Sequence, residues 1–335
     1  MAMTSLGDLA QSFQMRHQNG KLKIEMSTLL AEIATGQSAD LAKTVSGDLN
    51  PIAGIQQDLT RLEGFGTATA EASLFTDTMQ DALEVFQSQS QSLSASLITA
   101  GVAGNSSSVS AIGSDAKQKF ETMVSAVNAQ IGGRSLFGGA ATNRPPLADP
   151  NVILDALATA SIGASNVDDV VAAVDAWFAT GGGFDTIGYT GSSTPLAAFR
   201  VAANRNVQLD ATAEHAGIVD TLKAVALGAL IEKNVFAGNG TQQLALAQRA
   251  GEAVMTAQSA LSALRADVGT VQATIDQARQ SNETQSFALK IARAGIVQVD
   301  PYETATKLES VQIQLESLYA ITARMSRLSL VDYLR

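Results

Sequence analysis

The side chains able to do chemistry are few and scattered. His17 and His215 are the only two imidazoles in the chain. Neither stands in an HExxH or comparable spacing that would aim two ligands from one helix face, so both read as helix-surface or packing residues. Asp168 and Asp169 form a carboxylate pair in sequence, but neighbours in a helix point in different directions and cannot converge on one atom. The first turn of a helix, where negative charge is favoured, accounts for them better. The run Gly132-Gly133-Arg134-Ser135-Leu136-Phe137-Gly138-Gly139 is glycine-rich but lacks Lys-Ser/Thr and follows a helical pattern, so it reads as a turn anchored by Phe137, not as a phosphate cradle. With no cysteine, the chain has no disulfide, no thiolate metal ligand and no thiol nucleophile. Asn105-Ser106-Ser107 and Asn282-Glu283-Thr284 match the minimal N-glycosylation pattern, the second inside a helical stretch where a surface loop is not expected. No catalytic, cofactor-binding or metal site is expected, and an enzyme is the least favoured class.

What must then carry function is the helical framework. The 335 residues are 46% hydrophobic but only 5% aromatic, with much of the apolar count in alanine, a composition suited to close helix packing. A formal charge of −10 argues against a general affinity for nucleic acid or an anionic membrane surface. Eight acidic and three basic residues fall between Gly139 and Glu214, whereas Asp300 to Arg335 holds five and four, so the middle reads as solvated and the ends as nearly neutral. No apolar run reaches the roughly 20 residues needed to span a bilayer. The opening residues lack the features of a cleaved signal peptide, so export is expected to use another route.

Periodicity places the elements. From Ser5 to Ile33, the residues Met15, Leu22, Met26, Leu29 and Ile33 recur at intervals of 7, 4, 3 and 4, a heptad-like stripe with Ser5 and Asp8 as a weak capping pair. Thr35 to Gly47 reads as a polar connector with a short helical piece at Leu41 to Val45. Asn50 as cap and Pro51 at the first helical position start a long helix. Its stripe runs from Ile52 to Leu97, implying a rod roughly 70 Å long. After a Gly/Ser/Asn turn at Gly101 to Ser110, a second helix returns antiparallel through Phe120, Val124, Val127 and Ile131.

Pro145-Pro146, Gly181-Gly182-Gly183 and Pro195 interrupt the next stretch. It reads as a mixed α+β insert, with helices near Asn151 to Ala160 and Val167 to Ala179 and candidate strands at Phe184 to Tyr189 and Ala197 to Leu209. Helix resumes from Thr212 to Phe236, breaks at Gly238-Asn239-Gly240, and restarts with Thr241 as cap for a run to Ile296. Asp300-Pro301-Tyr302-Glu303 then supplies an acidic cap, a first-turn proline and a third-position glutamate. Leu308, Val311, Leu315, Leu318, Thr322 and Met325 follow at 3, 4, 3, 4 and 3, with Ile321 and Leu328 widening the seam. The fold class is mainly α: an elongated antiparallel bundle of long helices with a small α+β domain inserted in the middle. The expected division is 1–45 and 299–335 as two halves of a terminal coiled-coil domain, 46–138 and 214–298 as two halves of a helical rod domain, and 139–213 as the inserted outer domain.

The two ends carry a resemblance. Asp300-Pro301-Tyr302-Glu303, the stretch Leu308-Glu309-Ser310-Val311-Gln312, the ending Arg327-Leu328-Ser329-Leu330-Val331-Asp332-Tyr333-Leu334-Arg335, the Thr35-Gly36 helix exit and the Ser135-Leu136-Phe137-Gly138-Gly139 turn together resemble the flagellin and hook-associated protein 3 superfamily. Ser38 to Pro51 lacks the Asp-Asp-Ala-Ala-Gly-like signature of flagellins, and the usual Asp-Asp-Pro of hook-associated protein 3 is also missing. The turn followed by Asn143-Arg144-Pro145-Pro146 is more similar to the junction protein, with filament flagellin as the alternative.

The resemblance implies a structural subunit of the bacterial flagellum, built on a flagellin-like rod and assembled outside the cell as a ring between hook and filament. It would be exported by the flagellar type III secretion system without a cleaved signal peptide. The implied partners are copies of itself, a neighbouring hook-associated protein, flagellin, and an export chaperone on the C-terminal region. The seams are the implied assembly interface: Met15, Leu22, Met26, Leu29 and Ile33 at one end, Leu308, Val311, Leu315, Leu318, Met325 and Leu328 at the other. Their helices are expected to order fully only on incorporation. From a different class, a soluble helical adaptor whose acidic insert holds a ligand fits the composition less well.

Overall fold

A computed structural model describes the backbone of residues 3–103 and 106–333 and the side chains of residues 10–100 and 109–325. Asn105, the first glycosylation match, and the side chains of Ser5, Asp8 and Leu328 lie outside the described residues. The fold is mainly α, with a small β-containing insert. The chain divides into two compact units, one of Met1–Leu62 with Thr284–Arg335 and one of Glu63–Glu283.

The first unit holds α1 (Met3–Thr35), the short α2 (Leu41–Thr44), the start of α3 (Asn50–Ala103), the end of α8 (Gly240–Val297) and α9 (Pro301–Tyr333). Helix α3 starts at Asn50 and is not capped by it: the Asp48 carboxylate accepts the Asn50 amide at 3.0 Å, so the side-chain cap comes from two residues earlier. At the start of α9 the expected cap is in place, the Asp300 carboxylate accepting the amides of Tyr302 (2.8 Å) and Glu303 (3.3 Å).

In the second unit α3, α4 (Ser106–Val127), α7 (Ala216–Ala229) and α8 share one core. From α3, Phe75, Met79, Leu83, Phe86, Leu93 and Leu97 are buried at the three-to-four spacing of one face. Phe120, Val124 and Val127 answer from α4, and Leu246, Val254, Leu261, Leu264 and Val268 from α8. Helix α7 is buried on nearly every side, and small residues let its backbone approach its neighbours. A Cβ on Gly217 would lie 2.8 Å from the Ala260 carbonyl of α8, and one on Gly228 would lie 3.2 Å from the Ala116 Cβ of α4. Helix α8 begins at Gly240 with the Asn239 side chain accepting the Gln242 amide at 3.2 Å, so Asn239, not Thr241, is its cap.

The structure departs from the sequence reading in and beside the insert in three places. Helix α4 stops at Val127, and Gln130–Ile131 (β1) pairs with Arg134–Ser135 (β2) in a hairpin whose two loop residues, Gly132 and Gly133, both have positive φ. That is the type I′ geometry that glycine pairs favour, and it takes Ile131 out of the helix. Phe184–Gly188 is a π-helical turn and not a strand, ending where Tyr189 bridges Leu147. Helix α7 ends at Ala229, and Asn234 and Phe236 at positive φ rule out its extension to Phe236.

Helices α5 (Pro150–Ala160) and α6 (Val167–Phe178) match their predicted ranges within a residue or so. Asp169 completes a capping box with Asn166, and with Asp168 it sits in the first turn of α6. Ala197 to Leu209 holds the antiparallel pair Phe199–Ala202 (β3) and Arg205–Val207 (β4), which packs on Ala72, Ile275 and Ala278.

Candidate assembly surface

Helices α1 and α9 run antiparallel and are pinned at one end by backbone. The Ser38 amide donates to the Val297 carbonyl at 2.8 Å and the Val299 amide to the Gly36 carbonyl at 3.2 Å. This short ladder brackets an antiparallel bridge between Gln37 and Gln298. Gly36, at φ +69°, ends α1 and turns the chain into the ladder. From there the helices lie side by side: the Lys23 ammonium stands 5.9 Å from the Tyr319 ring centroid, and the Thr322 hydroxyl 3.9 Å from the Met15 sulfur.

The two predicted stripes meet within this pair. Leu22, Met26 and Leu29 of α1 form one cluster with Leu308, Val311 and Leu315 of α9. Only Leu29, Val311 and Leu315 are buried; Leu22, Met26 and Leu308 are half-buried, as are Met15, Leu318 and Met325 farther along. Ile33, 40% exposed, lies outside the cluster, and Thr322 and Ile321 are exposed.

A second apolar face was missed in the sequence. Phe13 and Ile24, 69% and 70% exposed, are eleven residues apart on α1, about three full turns. They project from the side opposite the seam, so α1 is apolar on two faces. Helix α9 repeats the device with Tyr302, 83% exposed, and Ile313, again eleven apart. Phe287 and Ile291, exposed and one turn apart, add to it at the end of α8. The signal was legible as an eleven-residue spacing, masked by the stronger heptad stripe. Most of the large exposed apolar side chains among the described residues lie in this unit, although the other unit has more residues.

The same helices carry charge, with Arg16, Lys21, Lys23, Glu25 and Glu32 on α1 and Glu303, Lys307, Glu309, Glu316 and Arg324 on α9. Lys307 and Glu303 pair at 2.7 Å one turn apart on α9, and the ammonium is held above its ordinary range by that hydrogen bond, then by the Glu303 charge, with Glu32 adding to it. The remaining polar candidates have local duties. His17 is exposed on α1, and His215 caps α7, its Nδ1 accepting the Gly217 amide at 3.1 Å. Among the described residues no group of His, Cys, Asp and Glu could hold a metal ion, and no helix is long and apolar enough to cross a membrane.

The family described as the bacterial flagellin C-terminal helical region matches residues 252–334, which include most of α8 and all of α9. No curated protein matches by sequence. Among solved structures, FlgL from Bacillus cereus is 16% identical with a TM-score of 0.52, the match covering 72% of this chain and 100% of that one. A putative flagellar hook-associated protein from Vibrio parahaemolyticus is 14% identical, also with a TM-score of 0.52, over 75% and 99%. At these identities the likeness carries the fold alone.

Proposed function

We propose that this chain is a structural subunit of the bacterial flagellum, the junction protein that joins hook to filament as a ring of copies of itself. The observation that carries the proposal is the second apolar face of α1 and α9, with Phe13, Ile24, Tyr302 and Ile313 turned away from the seam that pairs the helices. Large apolar side chains left exposed on the far side of each helix offer contact points for a partner. They belong to a helix pair whose core, among the described residues, is three buried side chains, so a neighbouring copy is the natural cover. The site residues of both stripes then serve assembly in two layers, the seam setting the pair and the outer faces receiving the next subunit.

Support for the junction role over filament flagellin comes from the fold likeness, which spans nearly the whole length of FlgL and of the putative hook-associated protein. The flagellin match favours the second reading, a filament subunit, but covers only residues 252–334. In either reading the neighbours are flagellar hook and filament proteins, an export chaperone holds the C-terminal region, and the subunit acts outside the cell after passage through the flagellar type III secretion system.

Deletion of the gene separates the two readings. A junction subunit predicts cells without filaments that shed flagellin into the medium; absence of any filament protein from the medium would identify flagellin instead. Normal filaments and motility would overturn both. Hydrogen exchange on the free protein tests conditional order: amides in residues 10–35 and 301–325 should exchange much faster than those in 75–97, and equal protection would contradict ordering on incorporation.

A further inference from the structure

The β3–β4 hairpin touches α3 and α8 at runs that hold several weak helix formers. On α3 the run Gly64-Phe65-Gly66-Thr67-Ala68-Thr69 contains two glycines and two threonines. Each glycine lowers helix formation about five-fold relative to alanine, and neither has a neighbour within 4 Å of the position a Cβ would take, so close packing does not require them. Both threonines bond back to the helix, Thr67 to the Glu63 carbonyl and Thr69 to those of Phe65 and Gly66, a habit that bends and loosens helices. On α8 the run Ser281-Asn282-Glu283-Thr284-Gln285-Ser286 is similarly poor in helix formers.

Consecutive residues of β3 reach both points. The Arg200 guanidinium stands 5.8 Å from the ring centroid of Phe65, the residue between the two glycines. The Asn282 amide donates to the Val201 carbonyl at 2.8 Å, a bond buried at both ends. Val201 and Val207 seat the hairpin on Ala72, Ile275 and Ala278, and Arg205 adds a 2.9 Å bond to the Gln277 side chain.

We propose that the β3–β4 hairpin is a brace across a shared soft point of α3 and α8, holding both helices closed there and permitting local opening when it lifts. The geometry makes the two openings one event, because the residues contacting the two helices are adjacent in one strand.

The test is hydrogen exchange by mass spectrometry on the full chain, comparing wild type with Asn282→Ala and with Gly64→Ala/Gly66→Ala. Asn282→Ala removes the bond to the Val201 carbonyl, a loss partly offset by better local helix propensity. It should accelerate exchange about five- to thirty-fold at residues 64–69 of α3 as well as at 199–207, with 83–97 unchanged. The double alanine variant should slow exchange at 64–69 by a similar factor. Acceleration confined to α8, or an unchanged rate in the double alanine variant, overturns the proposal.

Discussion

The amide of Ser38 donates to the carbonyl of Val297 at 2.8 Å, tying the exit of the first helix to the entry of the last. That tie sets the register in which Leu29 meets Val311 and Leu315. Among the described residues the seam buries few side chains, each contributing about 1.5–3 kcal/mol, whereas ordering costs about 1–2 kcal/mol per residue.

Truncating the seam should therefore affect association and not the rest of the fold. Leu29→Ala and Leu315→Ala are each expected to cost about 2–4 kcal/mol of helix pairing. The measured result should be loss of self-association or of incorporation into flagella. The main thermal transition should stay in place, because Glu63–Glu283 has separate cores.

Two glycine substitutions in the second unit should have opposite signs. Gly217→Ala drives a Cβ to 2.8 Å from the Ala260 carbonyl and 3.2 Å from the Leu261 Cα, backbone atoms that cannot turn aside, and should destabilise by about 1–3 kcal/mol. Gly269→Ala meets only the Gln80 amide at 3.8 Å within α8 and should stabilise by about 0.5–1 kcal/mol. Urea midpoints of the two variants would check this.

Gly183→Ala provides an optical readout. The new Cβ would stand 1.9 Å from Nε1 of Trp177, so the indole must leave its place among Phe178 and Phe184. Trp177 is the only tryptophan, and its emission should shift to longer wavelength. An unchanged spectrum would mean that the ring is seated elsewhere.

Glu214 gives the insert a pH dependence. Its carboxyl is raised above the ordinary 4.5 by burial and then by the charge of Asp185. A carboxyl raised in the folded state contributes its full stability below pH 4.5 and loses it as pH rises through the folded value. Glu214→Gln should thus raise the melting temperature slightly at pH 7 and not at pH 4, the gain kept small by solvent screening. The same change should bring down the Tyr189 phenol, which is pushed up to about 12 by burial and then by Glu214, against the opposing hydrogen bond to Ser192 and the charge of Arg144. Ultraviolet titration would show it.

Long-range order was legible wherever a period or a cap governs the backbone. The stripes from Leu22 to Leu29 and from Leu308 to Leu315, and the Asp300-Pro301 start, follow from spacing and capping alone. The insert was harder because its turns answer to contacts that no period encodes. Gly181-Gly182-Gly183 reads as a flexible break, but Gly181 takes positive φ after α6, Gly182 presses on the carbonyls of Ala176 and Trp177, and Gly183 makes room for the indole. Phe184, Ile187 and Tyr189 read as a strand, yet Phe184–Gly188 is a π-helical turn, across which the rings of Phe184 and Tyr189 stack with centroids 6.1 Å apart. The outer face of α1 was hidden for the opposite reason: Phe13 and Ile24 are too few and too widely spaced to register beside a heptad.

The pairing of Leu29 with Val311 and Leu315 also fixes a timetable. At about 5–20 residues per second, synthesis takes on the order of 15–60 seconds to make the partner of α1 after Leu29 has appeared. For that interval the chain has an amphipathic segment whose only intramolecular mate does not yet exist. The newborn protein therefore spends its synthesis with its most adhesive surface unpaired, and its solubility in those seconds depends on what the cell places there.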